Sequence, residues 1–266
     1  MDWILYLILG LIQGITEWLP ISSSGHLVIF EELFKIDIPG LAFEVLLNFA
    51  TFMALVIVFR KELIKLIIGF FSYIISKNDT DRDEFYFGLY LIIGTIPVLI
   101  LGLAFADYIE SNLKSLTTVA VALIITGIAL YFISKKDGVK NQLTLKDALW
   151  IGLFQAIALV PGISRAGATI FASIYRGLNK ELALRYSFFL AIPVSIGTML
   201  LKVDELIEQL TIANLFNYFL AFTVALVSAV FAIKWFIGIV NRGKLIYFTY
   251  YCVTVGTIVL IYQLIL

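Results

Sequence analysis

Hydrophobic and polar positions do not alternate evenly along this chain; they fall into long apolar blocks divided by short charged segments. A helix that crosses a bilayer needs about 20 mostly apolar residues. Six blocks reach or approach that length: 41–59, 85–106, 116–133, 186–201, 212–233 and 245–266. The fourth is the shortest. Two further apolar regions are interrupted. Residues 3–34 break at Pro20 and a run of serines, and 147–175 break at "PGISRAG". Each has a first arm of moderate length and a short second arm, so each is expected to enter and leave on one face as a re-entrant hairpin. Backbone of that kind is tolerated at membrane depth only where it is buried in protein or lines a wet cavity. The expected fold is an all-α integral membrane protein with six transmembrane helices plus two re-entrant helical hairpins.

The pattern also repeats. Shifted by 142 residues without a gap, "GLIQGITEWLPISSSGHL" (10–27) falls on "GLFQAIALVPGISRAGAT" (152–169), with identities at Gly10, Leu11, Gln13, Ile15, Ile21, Ser22 and Gly25. About one or two identities are expected from average composition. Three spans follow each hairpin, and three is odd, so the second copy is expected to be inverted. Residues 1–138 and 139–266 then form the two halves of a single membrane domain, 1–266. Their hairpin tips can meet near the midplane, where inverted-repeat membrane proteins place their sites.

Charge orients this layout. The face bearing residues 35–40 holds Lys35, Lys114 and Lys202. The other holds Arg60, Lys61, Lys65, Lys77, Arg82, Lys135, Lys136, Lys140, Lys146, Arg176, Lys180, Lys234, Arg242 and Lys244. That is 3 against 14, with Arg165 and Arg185 left out as lying in or near membrane segments. The positive-inside rule makes the richer face cytoplasmic and puts both termini outside. The count does not separate a hairpin from two full spans, since either returns to the same face.

Composition narrows the class. Hydrophobic residues make up 61% and charged residues 14%, against about half and a quarter in soluble domains. Net charge is zero, so nucleic acid is not an expected partner. Cys252 is the lone cysteine, which excludes a disulfide framework and a cysteine-rich metal site. The first apolar stretch has no basic flank, and a cleaved signal peptide is not expected.

The polar residues concentrate at the two interruptions. "QGITEWLPISSSGHLVIF" (13–30) carries a glutamine, a glutamate, three serines and the only histidine. Ser is a good N-cap, so Ser22–Gly25 and Ser164–Gly167 are expected to open the returning half-helices. Helix N-termini offer free N–H donors and partial positive charge. Two of them beside Arg165 make an anion receptor, and a guanidinium suits phosphate geometry. Gln13 and Glu17 lie four apart on one helix face. Ser22 and His26 are four apart and Ser23 and His26 three apart, so either serine can reach the imidazole. A hydroxyl, an imidazole and a carboxylate together follow the logic of an activated nucleophile. Glu44 and Asn48 share a face of the following helix, as second-layer groups or as packing.

These residues carry a resemblance. "QGITEWLPISSSGH" is similar to the (E/Q)-x-x-x-E-(F/W)-L-P-(V/I)-S-S-(S/T)-G-H motif of bacterial undecaprenyl-pyrophosphate phosphatases of the bacitracin-resistance type. "PGISRAGAT" resembles their P-G-x-S-R-S-x-x-T motif, with Ala166 where the family has its second Ser. "FEV" (43–45) and "RYSFFLAIPVSIG" (185–197) extend the likeness over nearly the whole chain, with Asn48 and Ala50 in place of a common Gln and Gly. The resemblance implies removal of the terminal phosphate of undecaprenyl pyrophosphate, which returns the lipid carrier to cell-wall synthesis and confers bacitracin resistance. It also implies a multi-pass protein of the bacterial cell membrane, a site open to the outer side, and a divalent cation, Mg²⁺ or Ca²⁺. Expected partners are the polyprenyl diphosphate and membrane lipids, with room for a homodimer.

On this reading Glu17, Ser23, His26 and Arg165 are catalytic, and Gln13, Ser22, Ser24, Gly25, Ser164, Gly167 and Thr169 bind substrate. Ser23 attacks with His26 as base, and Glu17 orients the imidazole or holds the cation. Two alternatives stay open: His26 as the nucleophile, or a metal-activated water. The rival from another class is a polyprenyl-phosphate flippase or transporter, because broken helices at the midplane also mark transporters.

Overall fold

The computed structural model describes residues 2–35 and 40–265. Every element named among them is helical: α1 (Asp2–Thr16), α2 (Ser23–Phe34), α3 (Leu41–Ser76), α4 (Arg82–Asn112), α5 (Leu116–Ser134), α6 (Leu145–Ile157), α7 (Arg165–Tyr175), α8 (Lys180–Gln209), α9 (Ile212–Asn241) and α10 (Ile246–Ile265), plus one short 3₁₀ turn. Six of them, α3, α4, α5, α8, α9 and α10, are long and apolar enough to cross a membrane.

Four of the six run well past the apolar blocks that announce them. The block 41–59 ends at Arg60 and Lys61, yet α3 continues to Ser76. Charge ends a hydropathy block, but a helix ends where its backbone is capped. α3 stops where Lys77 turns left-handed at φ 53° and its N–H bonds the Tyr73 carbonyl. The junction is marked instead by non-helical torsions at Phe59.

The other four helices form two short pairs. α1 and α6 have 15 and 13 residues, or about 22 and 20 Å at 1.5 Å per residue. Their shorter partners α2 and α7 have 12 and 11 residues. None covers the roughly 30 Å of a hydrocarbon core.

Small residues seat both α1 and α6. A Cβ on Gly10 of α1 would lie 2.4 Å from the Ala221 carbonyl oxygen of α9, and one on Gly152 of α6 would lie 2.4 Å from the Gly94 carbonyl oxygen of α4. Such contacts let backbones approach where lipid offers no hydrophobic drive. The main core lies between the two pairs and the long helices, around Trp18, Phe188, Phe189, Tyr186 and Phe236.

Candidate active site

Both α2 and α7 start as the serines dictate. Ser22 caps α2, its hydroxyl accepting the Gly25 N–H at 3.3 Å. Ser164 caps α7 in the same way, accepting the Gly167 N–H at 3.1 Å. The first amides of a helix have no intrahelical acceptor. With Gly25 and Gly167 capped, the amides of Ser23, Ser24, Arg165 and Ala166 are the donors each tip can offer to an anion.

The tips are pinned from outside and against each other. Trp18 Nε1 donates to the Thr51 carbonyl at 3.1 Å. Thr126 of α5 donates to the Gly162 carbonyl at 3.3 Å and accepts the Ser164 N–H at 3.2 Å. Gly162 holds φ +95°, a conformation open to glycine, and a Cβ there would strike the Val119 backbone. Between the tips, Ser164 Oγ donates to the Leu19 carbonyl at 3.4 Å, and Arg165 Nη2 donates to Glu17 Oε1 at 2.9 Å.

Glu17 is the hub. Its Oε2 accepts from Ser23 Oγ at 2.5 Å and from Gln13 Nε2 at 3.0 Å. Gln13 Nε2 also reaches Asn48 Oδ1 of α3 at 2.7 Å. The Arg165 guanidinium lies over the Trp18 ring, 4.9 Å from its centroid. A carboxylate at this depth needs a partner, and here it has three donors. The pair is not sealed: the Glu17 and Arg165 side chains keep 15% and 19% exposure, and both face a cavity of about 200 Å³.

Six of the expected site residues line that cavity: Glu17, Ser22, Ser23, Ser24, Ser164 and Arg165. The expected pairing of a serine hydroxyl with the imidazole is not the one the structure makes. His26 Nδ1 meets the Ser22 carbonyl at 2.7 Å and Nε2 meets the Tyr251 hydroxyl at 2.7 Å. His26 therefore turns toward α10 while Ser23 turns to Glu17, which neither touches nor orients the ring. Thr169 does not line the cavity. It is fully buried, bonded to the Arg165 carbonyl at 2.9 Å and to Ser187 Oγ at 2.5 Å. Gln13 is buried behind Glu17 and supports that carboxylate without lining the cavity. Gly25 and Gly167 contribute capped amides from buried positions.

Residues 6–258 match the family model described as "Bacitracin resistance protein BacA". The chain belongs to the BacA family. It is 44% identical over 260 residues to Undecaprenyl-diphosphatase 2 of Bacillus thuringiensis (strain Al Hakam), covering 97% of this chain and 96% of that one. It is 42% identical over 262 residues to Undecaprenyl-diphosphatase of Oceanobacillus iheyensis, covering 97% and 95%. Undecaprenyl-diphosphatase 1 of Halalkalibacterium halodurans is 43% identical over 263 residues, covering 97% and 96%.

In this BacA-family chain the cavity also takes Asn48 from α3 and Ser195 and Thr198 from α8. Asn48 was legible as a polar residue one turn after Glu44. Ser195 and Thr198 are three apart on one helix face in an apolar stretch, and that spacing was the signal for them. Tyr251 gave a weaker signal, a phenol in a span where a polar tip must find a partner; its partner lies 225 residues away in the chain.

Proposed function

We propose that this chain is an integral-membrane phosphatase that removes the terminal phosphate of undecaprenyl diphosphate and leaves the monophosphate carrier. Full-length similarity to proteins named undecaprenyl-diphosphatase supports the substrate. The observation that carries the chemistry is Ser23 Oγ held 2.5 Å from one oxygen of Glu17, with Arg165 on the other oxygen.

In this reading Glu17 Oε2 takes the Ser23 proton as Oγ attacks the terminal phosphorus, a role supported by their hydrogen bond. An Oγ–P bond forms, the bond from phosphorus to the bridging oxygen breaks, and the lipid monophosphate leaves. Glu17 passes that proton to the departing lipid monophosphate, water then attacks the phosphoserine and gives a proton to Glu17, and inorganic phosphate departs as Glu17 returns the proton to Ser23. Arg165 and the first amides of α2 and α7 stabilise the equatorial oxygens, the dominant need in phosphoryl transfer. His26 supports the turn at Ser22 in this reading, because its nitrogens are engaged away from the cavity.

Among the described residues Glu17 is the only carboxylate lining the cavity, and no group of three or more His, Cys, Asp or Glu could hold a metal ion. That donor set fits a Mg²⁺ bound largely by substrate oxygens and water, with Glu17 and Asn48 as the protein oxygens. Such a cation would neutralise part of the diphosphate charge.

The two short helix pairs are read as re-entrant hairpins of an inverted repeat within one membrane domain. Their lengths support this, as do the matched seats of Gly10 and Gly152 and the tip-to-tip contact of Arg165 with Glu17. The 3-to-14 charge count supports both termini outside, and the family resemblance supports a site open to the outer face.

A flippase needs an anion site but no hydroxyl held against a carboxylate. Phosphate release from a polyprenyl diphosphate by purified protein in detergent tests the reading. Binding of the lipid without release would overturn it.

A further inference from the structure

α10 is remote from both tips in sequence, yet one of its side chains reaches the first. Tyr251 Oη lies 2.7 Å from His26 Nε2, and the two rings stack with centroids 5.6 Å apart and planes 12° apart. The other ring nitrogen, Nδ1, faces the Ser22 carbonyl at 2.7 Å. A carbonyl only accepts, so Nδ1 carries the proton. In the neutral ring Nε2 is then the acceptor, and the Tyr251 hydroxyl must be its donor. The two contacts fix one tautomer between them.

The carbonyl at the end of this chain matters for the chemistry. Ser22 sits at φ 67°, ψ 100°, a sparsely populated region for a residue with a side chain. Its carbonyl belongs to the same peptide plane as the Ser23 N–H. It accepts from both Nδ1 and the backbone N–H of His26, at 2.7 and 3.2 Å. Orienting that plane decides where the Ser23 side chain leaves the helix, and in this orientation it meets Glu17 at 2.5 Å.

We propose that Tyr251 is a positioning residue: through the tautomer of His26 it holds the Ser22–Ser23 peptide that presents the Ser23 hydroxyl to Glu17. The proposal rests on the reading of Ser23 and Glu17 given above. His26 needs an orienting partner on α10 because, among the described residues, only Tyr251 bonds Nε2. Residues held in sparsely populated conformations persist when their surroundings over-determine them, and the Tyr251–His26 pair is one such constraint on Ser22.

The chain has one histidine, so ¹⁵N-histidine labelling of the full protein in detergent gives a single imidazole. The wild type should show Nδ1 protonated and Nε2 as a hydrogen-bonded acceptor. Tyr251→Phe keeps the ring stack and removes the donor. Its Nε2 signal should move toward an unbonded acceptor or average between tautomers. On a polyprenyl diphosphate its kcat should fall about 2- to 10-fold, the span of one neutral hydrogen bond, with KM nearly unchanged. Tyr251→Leu, which also loses the stack, should fall further. A Tyr251→Phe protein with the wild-type imidazole spectrum overturns the proposal whatever its activity. So does an altered spectrum with wild-type kcat, or a lowered Tm with kcat per folded molecule unchanged. A fully active Ser23→Ala would strike the underlying reading instead, and the spectrum would still report on Tyr251.

Discussion

Replacing Glu17 with glutamine removes one charge and tests the hub of the site. In the wild type the carboxylate accepts from Arg165 at 2.9 Å, Ser23 at 2.5 Å and Gln13 at 3.0 Å. An amide can keep its oxygen toward only one side. If the oxygen stays on Arg165, the NH₂ group meets Gln13 donor to donor and forces Ser23 to turn its proton elsewhere. The serine then has no base. Loss of a positioned base slows proton transfer by about 10²–10⁴-fold, or about 3–5 kcal/mol of barrier. Stability should also fall, because Arg165 loses its counter-charge. The site is partly open, so about 1–3 kcal/mol is expected, below the figure for a sealed pair. Glu17→Asp keeps the charge but withdraws it by about 1.5 Å, one carbon–carbon bond, so its kcat should lie between the two. The assay is phosphate release under saturating polyprenyl diphosphate, with Tm measured in the same detergent. A Glu17→Gln enzyme within tenfold of wild-type kcat would refute Glu17 as the base.

Arg165→Lys keeps a positive charge but loses the planar fork and its place over Trp18, so kcat/KM should fall tenfold or more, since charged hydrogen bonds contribute about 1.5–3 kcal/mol. Gly10→Ala forces a Cβ to within 2.4 Å of the Ala221 carbonyl oxygen, and overpacking should cost about 1–3 kcal/mol of stability, read as a lower Tm. Burial alone would push the Asp147 carboxyl up, but hydrogen bonds from Thr144 and Arg176 and the charge of Lys140 outweigh it and hold it below the usual carboxylate range. Its folded value is depressed, so its stabilisation is full above the unfolded value and lost as pH falls through the folded one; the Tm gap between wild type and Asp147→Asn should be open at neutral pH and close in acid. In a Cys252→Ser background, a cysteine at Asp79 should resist an impermeant thiol reagent in intact cells, and ready labelling would overturn the proposed orientation.

Much of this architecture was legible because the membrane leaves few options. Blocks of apolar residues gave the six long helices, and Ser22 and Ser164 marked the start of α2 and α7 through ordinary capping. The polar cluster around Glu17 was legible too, since Gln13 and Glu17 share a face by spacing alone. Helical spacing failed at His26. Ser23 and His26 are one turn apart, but which way each points depends on what stands across the tip. Glu17 stands on one side and Tyr251 on the other, and neither position can be read from local sequence. Thr169 was open to two readings, because a threonine near a helix start can also bond the preceding carbonyls; it does so here, with Ser187 beside it.

The central claim is that the Ser23 hydroxyl attacks phosphorus with Glu17 as its base. Rapid-quench trapping of labelled phosphate on the protein during turnover tests it most directly. The account predicts an acid-stable phosphoserine at Ser23 and no turnover by Ser23→Ala, with lipid binding retained at Arg165 and the helix N-termini. An acid-labile, base-stable label on His26, or robust turnover by Ser23→Ala, would contradict it.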